Sequence, residues 1–125
     1  MTKQEIFNIV AAHLMKQGCI SVSSLNYCVY RNPEGLRCAV GCLITDDEYD
    51  PAMDDRGIAG ETGVRYLIEK GLLPERLIPH ADFLVELQCI HDTVPVACWK
   101  AELLEAARDH GLEIPSCLKV EEDLR

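Results

Sequence analysis

The seven cysteines of this 125-residue chain contain no Cys-x-x-Cys spacing. That excludes the usual zinc ribbons and the thioredoxin-like redox motif. No apolar run approaches the roughly 20 residues that cross a bilayer. The opening "MTKQEIFNIVAAHLMKQG" sets polar and charged residues inside an apolar pattern, without the basic, apolar, small order of a secretion signal. No Gly-x-Ser-x-Gly elbow and no His-Glu-x-x-His helix occurs. Gly57, Gly60 and Gly63 follow no clear strand and lack the Lys-Ser/Thr ending of a phosphate loop. The stretch "DDEYDPAMDD" lacks the alternating ligands, central glycine and final glutamate of a calcium loop. Internal repeats and low-complexity segments are absent. These gaps argue against familiar enzyme chemistry.

What is present is enough for a folded domain. The length suits one domain, residues 1–125, able to bury roughly two-thirds of its unfolded surface. Nearly half of the residues are apolar, so disorder is excluded as a general state. An odd number of cysteines without a secretion signal points to reduced thiols and a cytoplasmic setting. The net charge is −9, from 12 basic and 21 acidic residues. A chain of this charge repels nucleic-acid backbone, so direct DNA or RNA binding is not expected. No membrane partner is expected either. The ten residues Asp46 to Asp55 hold six acids and no base, so the acidity is largely local.

Local signals set the expected elements. Thr2 and Glu5 form a capping-box pattern and Gly18 a stop, with Ile6, Ile9, Val10, His13 and Leu14 at helical spacing between them. "NPEG" at Asn32 to Gly35 is strong turn chemistry, which predicts a hairpin of Tyr27–Arg31 with Leu36–Cys38. A helix is expected from about Ala39, with Gly41 allowing close packing. "ETGVRYLIEKG" reads as a helix with Val64, Leu67 and Ile68 inward. In "ADFLVELQCIHD" Phe83, Leu84, Leu87, Ile90 and His91 form one broad face. A last helix carries Val96, Trp99, Leu103 and Ala107 on one face and ends at Gly111. Residues 116–125 are expected to be a weakly ordered tail. The expected fold class is α+β, mostly α: a single compact domain of four or five helices with one small β-hairpin.

Two groups of residues are candidates for function. The acids Asp46, Asp47, Glu48, Asp50, Asp54 and Asp55 form either a solvated loop or a docking surface for a basic protein partner, whose encounter opposite charge would speed. The second group is Cys28, Cys38, Cys42 and His91. Three thiols and an imidazole suit tetrahedral zinc, although the spacing matches none of the common patterns. As a nucleophile pair, Cys38 or Cys42 would attack, with His91 as base and Asp92 orienting the ring. The plain alternative is that the cysteines are small core residues, that His91 packs at the core edge, and that Asp92 caps the next helix.

The stretch "CVYRNPEGLRCAVGCLITDDEYDPAMD", with "LQCIHD" and a tryptophan-bearing helix after it, resembles a group of small uncharacterised bacterial and phage proteins. They share a Cys-x-Tyr-Arg, Gly-x-x-Cys-Ala-Val-Gly-Cys-Leu-Ile and Leu-Gln-x-Ile-His-Asp pattern. The resemblance spans roughly Cys28 to Trp99 and implies no fold, activity or catalytic residue. It implies only that a phage or prophage origin is plausible, and marks Cys28, Arg31, Cys38, Cys42, His91 and Asp92. The expected function is a small acidic cytosolic binding protein that occupies a partner and needs no cofactor. Its concrete version is a phage-encoded inhibitor of a host defence or nucleic-acid-handling complex. The alternative is a small metal-binding protein, with zinc as the metal, or a cysteine-dependent enzyme centred on Cys38, Cys42 and His91.

Overall fold

The computed structural model describes residues 1–23, 27–54 and 63–119. Four α-helices frame it: α1 (Lys3–Gln17), α2 (Val64–Glu69), α3 (Ala81–Thr93) and α4 (Trp99–Asp109). One-turn or short 3-10 helices join them at Gly41–Leu43, Pro51–Asp54, Glu75–His80, Val96–Cys98 and Ser116–Leu118. No helix among the described residues is long and apolar enough to cross a membrane.

Helix α1 begins and ends where its local chemistry dictates. The Thr2 hydroxyl accepts the Glu5 N–H over 3.1 Å, and the Glu5 carboxylate accepts the Thr2 N–H over 2.7 Å. Both ends of the capping box are therefore satisfied. At the other end Gly18 takes φ 66°, a left-handed cap that side-chain-bearing residues rarely adopt, and donates to the Leu14 carbonyl over 2.9 Å. Ile6, Phe7, Val10, Ala11 and Leu14 form the buried stripe. Ile9, expected on that face, is 40 % exposed, because Phe7 takes the inward position beside Ile6.

Helix α3 buries Phe83, Leu84, Leu87, Ile90 and His91, the face its sequence spacing predicts. It packs between α2 and α4, and α1 packs on α4 and α3. The core they enclose holds Phe7, Leu84, Leu87, Trp99, Leu103 and Leu118, all fully or almost fully buried. Each large apolar side chain placed there contributes roughly 1.5–3 kcal/mol. The Trp99 indole N–H still finds an acceptor, the Val94 carbonyl at 3.0 Å. Leu118 brings the Ser116–Leu118 turn down onto α1 and α4, so the start of the expected loose tail is docked. Residues 120–125 lie outside the described residues.

The fold is all-α rather than α+β, and the expected hairpin is not formed. Among the described residues, pairing in this region is confined to two isolated antiparallel bridges, Val22 with Cys28 and Arg31 with Arg37. No strand occurs among the described residues. The "NPEG" turn itself is real: Gly35 N–H reaches the Asn32 carbonyl over 3.0 Å, and the Asn32 side chain accepts Glu34 N–H and Leu36 N–H over 2.9 and 2.8 Å. The physical reason for the missing strands is that side chains take the backbone donors a ladder would use. Asp54 takes those of Tyr30 and Arg31, and Gln17 takes that of Arg37. The helix expected from Ala39 shrinks to the single turn Gly41–Leu43, after which Ile44 is extended at φ −99° and ψ 124°. Gly41 does pack closely. A Cβ at this position would lie 2.1 Å from the Tyr30 carbonyl oxygen.

Candidate functional site

The acidic stretch divides by what each carboxylate touches. Asp54 turns inward. Its Oδ1 accepts the Tyr30 N–H over 2.7 Å, and its Oδ2 accepts the Arg31 N–H over 3.3 Å and the Tyr49 hydroxyl over 2.6 Å. It thereby ties the Tyr30 loop to the 45–50 loop. Burial and the hydrogen bond to Asp54 push the Tyr49 hydroxyl well above its usual range.

Three arginines hold the outer part of the loop. Arg76 grips the Glu48 carboxylate through both terminal nitrogens, one at 2.9 Å, and also reaches the Leu43 carbonyl over 2.7 Å. Glu48 in turn accepts the Thr45 N–H over 3.0 Å. The Arg76 guanidinium and the Thr45 amide together hold Glu48 down at about 2. Arg31 donates to the Ile44 carbonyl over 3.0 Å, pairs with Asp46 over 2.8 Å and lies 4.7 Å from the Tyr49 ring centroid. Arg37 also reaches Asp46, over 3.2 Å. Asp46 remains 81 % exposed despite both pairs. Asp47 and Asp50 are exposed, and Asp50 accepts the Ala52 N–H over 2.9 Å. Asp55 lies outside the described residues, as do Gly57, Gly60 and the expected start of the second helix at Glu61 and Thr62.

The cysteine and histidine set is arranged differently from its expectation. The ligand atoms that come within 4.8 Å of one another belong to Cys28, His91 and Asp92. Cys38 and Cys42 are not in that group. The Cys38 thiol is fully buried, accepts the Gly41 N–H over 3.3 Å and is pushed well above its usual range by desolvation. The Cys42 thiol donates to the Ala39 carbonyl over 3.0 Å, and burial pushes it up to about 12. Burial thus favours the neutral thiol at both positions, and the thiolate is the attacking form.

His91 is fully buried on α3 with its ring stacked 5.6 Å from that of Trp99. Its Nε2 receives the backbone N–H of Ser21 over 2.9 Å. A backbone amide only donates, so Nε2 carries no proton and the ring is neutral, with its proton on Nδ1. That proton goes to Asp92 Oδ1 at 2.7 Å, which also accepts from Gln88 over 2.8 Å. The tautomer is the one a catalytic base would need, but the basic lone pair already holds Ser21. A metal on Nε2 must displace that amide. A metal on Nδ1 must displace the proton and needs a proton on Nε2 facing the amide. Chemically the arrangement fastens the Ser21 loop to α3. Asp92 does this work rather than capping the next helix, whose start has no side-chain cap.

Sequence reasoning missed Gln88. Its amide oxygen accepts the Val40 N–H over 3.0 Å while its nitrogen holds Asp92. The signal available was its place three residues before His91, one turn away on the helix. Reasoning from composition also missed that Arg31, Arg37 and Arg76 meet the acidic loop, because they come from distant positions.

The outer face of α3 also borders a mostly apolar groove of about 380 Å³ against the start of α2, lined by Val64, Val85, Gln88, Cys89, Asp92 and Thr93 among others. No protein-family model, curated protein or solved structure matches this chain.

Proposed function

We propose that this protein is a small acidic binding protein that acts by occupying a protein partner with a basic surface, which it meets through the 46–50 loop. The observation that carries the reading is the clamping of that loop. Arg31 and Arg76 fix its backbone, Arg76 holds Glu48 and Arg31 and Arg37 pair with Asp46, while Asp46, Asp47 and Asp50 remain exposed. Charge displayed on a fixed frame loses little freedom on association and steers an oppositely charged partner. The engagement of Cys38, Cys42 and His91 within the fold supports the same reading.

A reducing, cytosolic setting suits this reading and is supported by the seven free cysteines. Its concrete form is a phage-encoded inhibitor of a host defence or nucleic-acid-handling complex. The support for that form is the resemblance of the Cys28–Trp99 pattern.

The test is capture from a lysate of the cell that produces the chain, with wild-type protein and the Asp47→Asn/Asp50→Asn variant compared at low and high salt. The reading expects a basic protein that wild type retains at low salt, releases as salt rises, and that the variant retains less. Equal retention by both at all salt concentrations contradicts it.

A further inference from the structure

The groove between α2 and α3 combines an apolar wall with a carboxylate, Asp92, that pairs with no lysine or arginine among the described residues. Val85, Gln88, Cys89, Asp92 and Thr93 recur along one face of α3 at helical spacing, and Val64 closes the side from α2. Its volume of about 380 Å³ falls among ligand-sized pockets, which span roughly 300–1,000 Å³. Among the described residues the donors to Asp92 are neutral: the Nδ1–H of His91 and the Gln88 amide. No lysine or arginine among the described residues pairs with it. Arg65, which also lines the groove, pairs with Asp82 at 2.8 Å rather than with Asp92.

A carboxylate at the edge of an apolar trough, held in place by two hydrogen bonds from neutral donors and without a counter-charge among the described residues, matches one kind of side chain. Lysine and arginine carry a cation at the end of an apolar stem. We propose that this groove receives a lysine or arginine side chain of the partner, its stem along Val64, Val85 and Cys89 and its cation on Asp92. The proposal rests on the reading of a basic protein partner and adds a second, chemically distinct contact to that of the 46–50 loop. Asp92 would then act twice, holding His91 from inside and the partner's cation from outside.

The experiment is a titration of the ¹⁵N-labelled full chain with two capped tripeptides, Ala-Lys-Ala and its norleucine analogue, which keeps the stem and removes the charge. The lysine peptide is expected to move the amide signals of Val85, Cys89 and Thr93 saturably, and the norleucine peptide to bind about tenfold more weakly or less. Asp92→Asn keeps an acceptor for His91 and Gln88, and should reduce the lysine peptide to the norleucine level. Val85→Lys, at an exposed position two turns before Asp92, places an amine of the chain's own in the groove and should block the peptide without touching the core. The proposal is overturned if the two peptides bind alike, if neither moves these signals, or if Val85→Lys binds unchanged. Asp47→Asn/Asp50→Asn should leave this titration unaltered. Failure of the loop reading in the capture experiment and failure of the groove are therefore separately visible.

Discussion

The backbone N–H of Ser21 donates to Nε2 of His91 over 2.9 Å, joining residues 70 positions apart in a site from which solvent is excluded. This single bond fixes the tautomer of His91 and directs its proton to Asp92. It also makes the histidine part of the fold's framework. Replacing His91 with Phe keeps an aromatic ring against Trp99 but leaves the Ser21 amide buried without an acceptor. Such a group costs about 1–3 kcal/mol. Urea unfolding of His91→Phe should show a loss of that order, and unchanged stability would mean the bond is not part of the native state.

Gly41 is required for space. Its backbone approaches Tyr30 so closely that a methyl group would overlap the carbonyl oxygen. Gly41→Ala must push apart the Tyr30 loop and the Gly41–Leu43 turn, and should cost about 1–3 kcal/mol or more. A thermal midpoint equal to wild type would rule out this close approach.

The thiols should separate by burial. Cys19, Cys89 and Cys98 are exposed, whereas Cys38 is buried with its ionisation suppressed. A thiol reagent added to native protein should label the exposed three quickly and Cys38 only on unfolding. Rapid native labelling of Cys38 would show that it is accessible and restore it as a nucleophile.

Glu48 gives the stability a dependence on acid. The Arg76 pair holds its folded-state value at about 2, below the roughly 4.3 of an unpaired glutamate. Its contribution is therefore fully present above the unfolded value, and is lost as pH falls from about 5 toward 2. The pair is partly exposed, so its size is on the order of 1 kcal/mol. The stability difference between wild type and Glu48→Gln should shrink across that window and also with added salt. A difference that stays constant from pH 6 to pH 2 would dissociate Glu48 from the effect.

The parts of the fold that were legible in sequence are those determined locally. The capping box of Thr2 and Glu5 and the inward face of α3 are set by residues three and four apart, and both are found as the spacing predicts. The all-α outcome was not legible, because the donors of Tyr30 and Arg31 are claimed by Asp54 more than twenty residues later, a contact no local pattern encodes. The same limit applies to the site. Six acids in ten residues are visible at once, but which carboxylate turns inward depends on where the chain carries Asp54. His91 and Asp92 stand side by side in the sequence as candidates. Their partner Ser21 contributes only its backbone, which carries no residue-type signal.

The central claim is that the acidic stretch is divided, with Asp54 and Glu48 holding the fold and Asp46, Asp47 and Asp50 facing outward. Equilibrium urea unfolding of Asp54→Asn beside Asp47→Asn/Asp50→Asn tests it most directly. Asp54→Asn swaps one acceptor oxygen for an amide that cannot accept from both the Tyr30 loop and Tyr49, and should lose about 1–3 kcal/mol. The double variant keeps an acceptor for Ala52 and should stay within about 0.5 kcal/mol of wild type. The contradicting result is the reverse order, in which the loop variant unfolds readily and Asp54→Asn matches wild type.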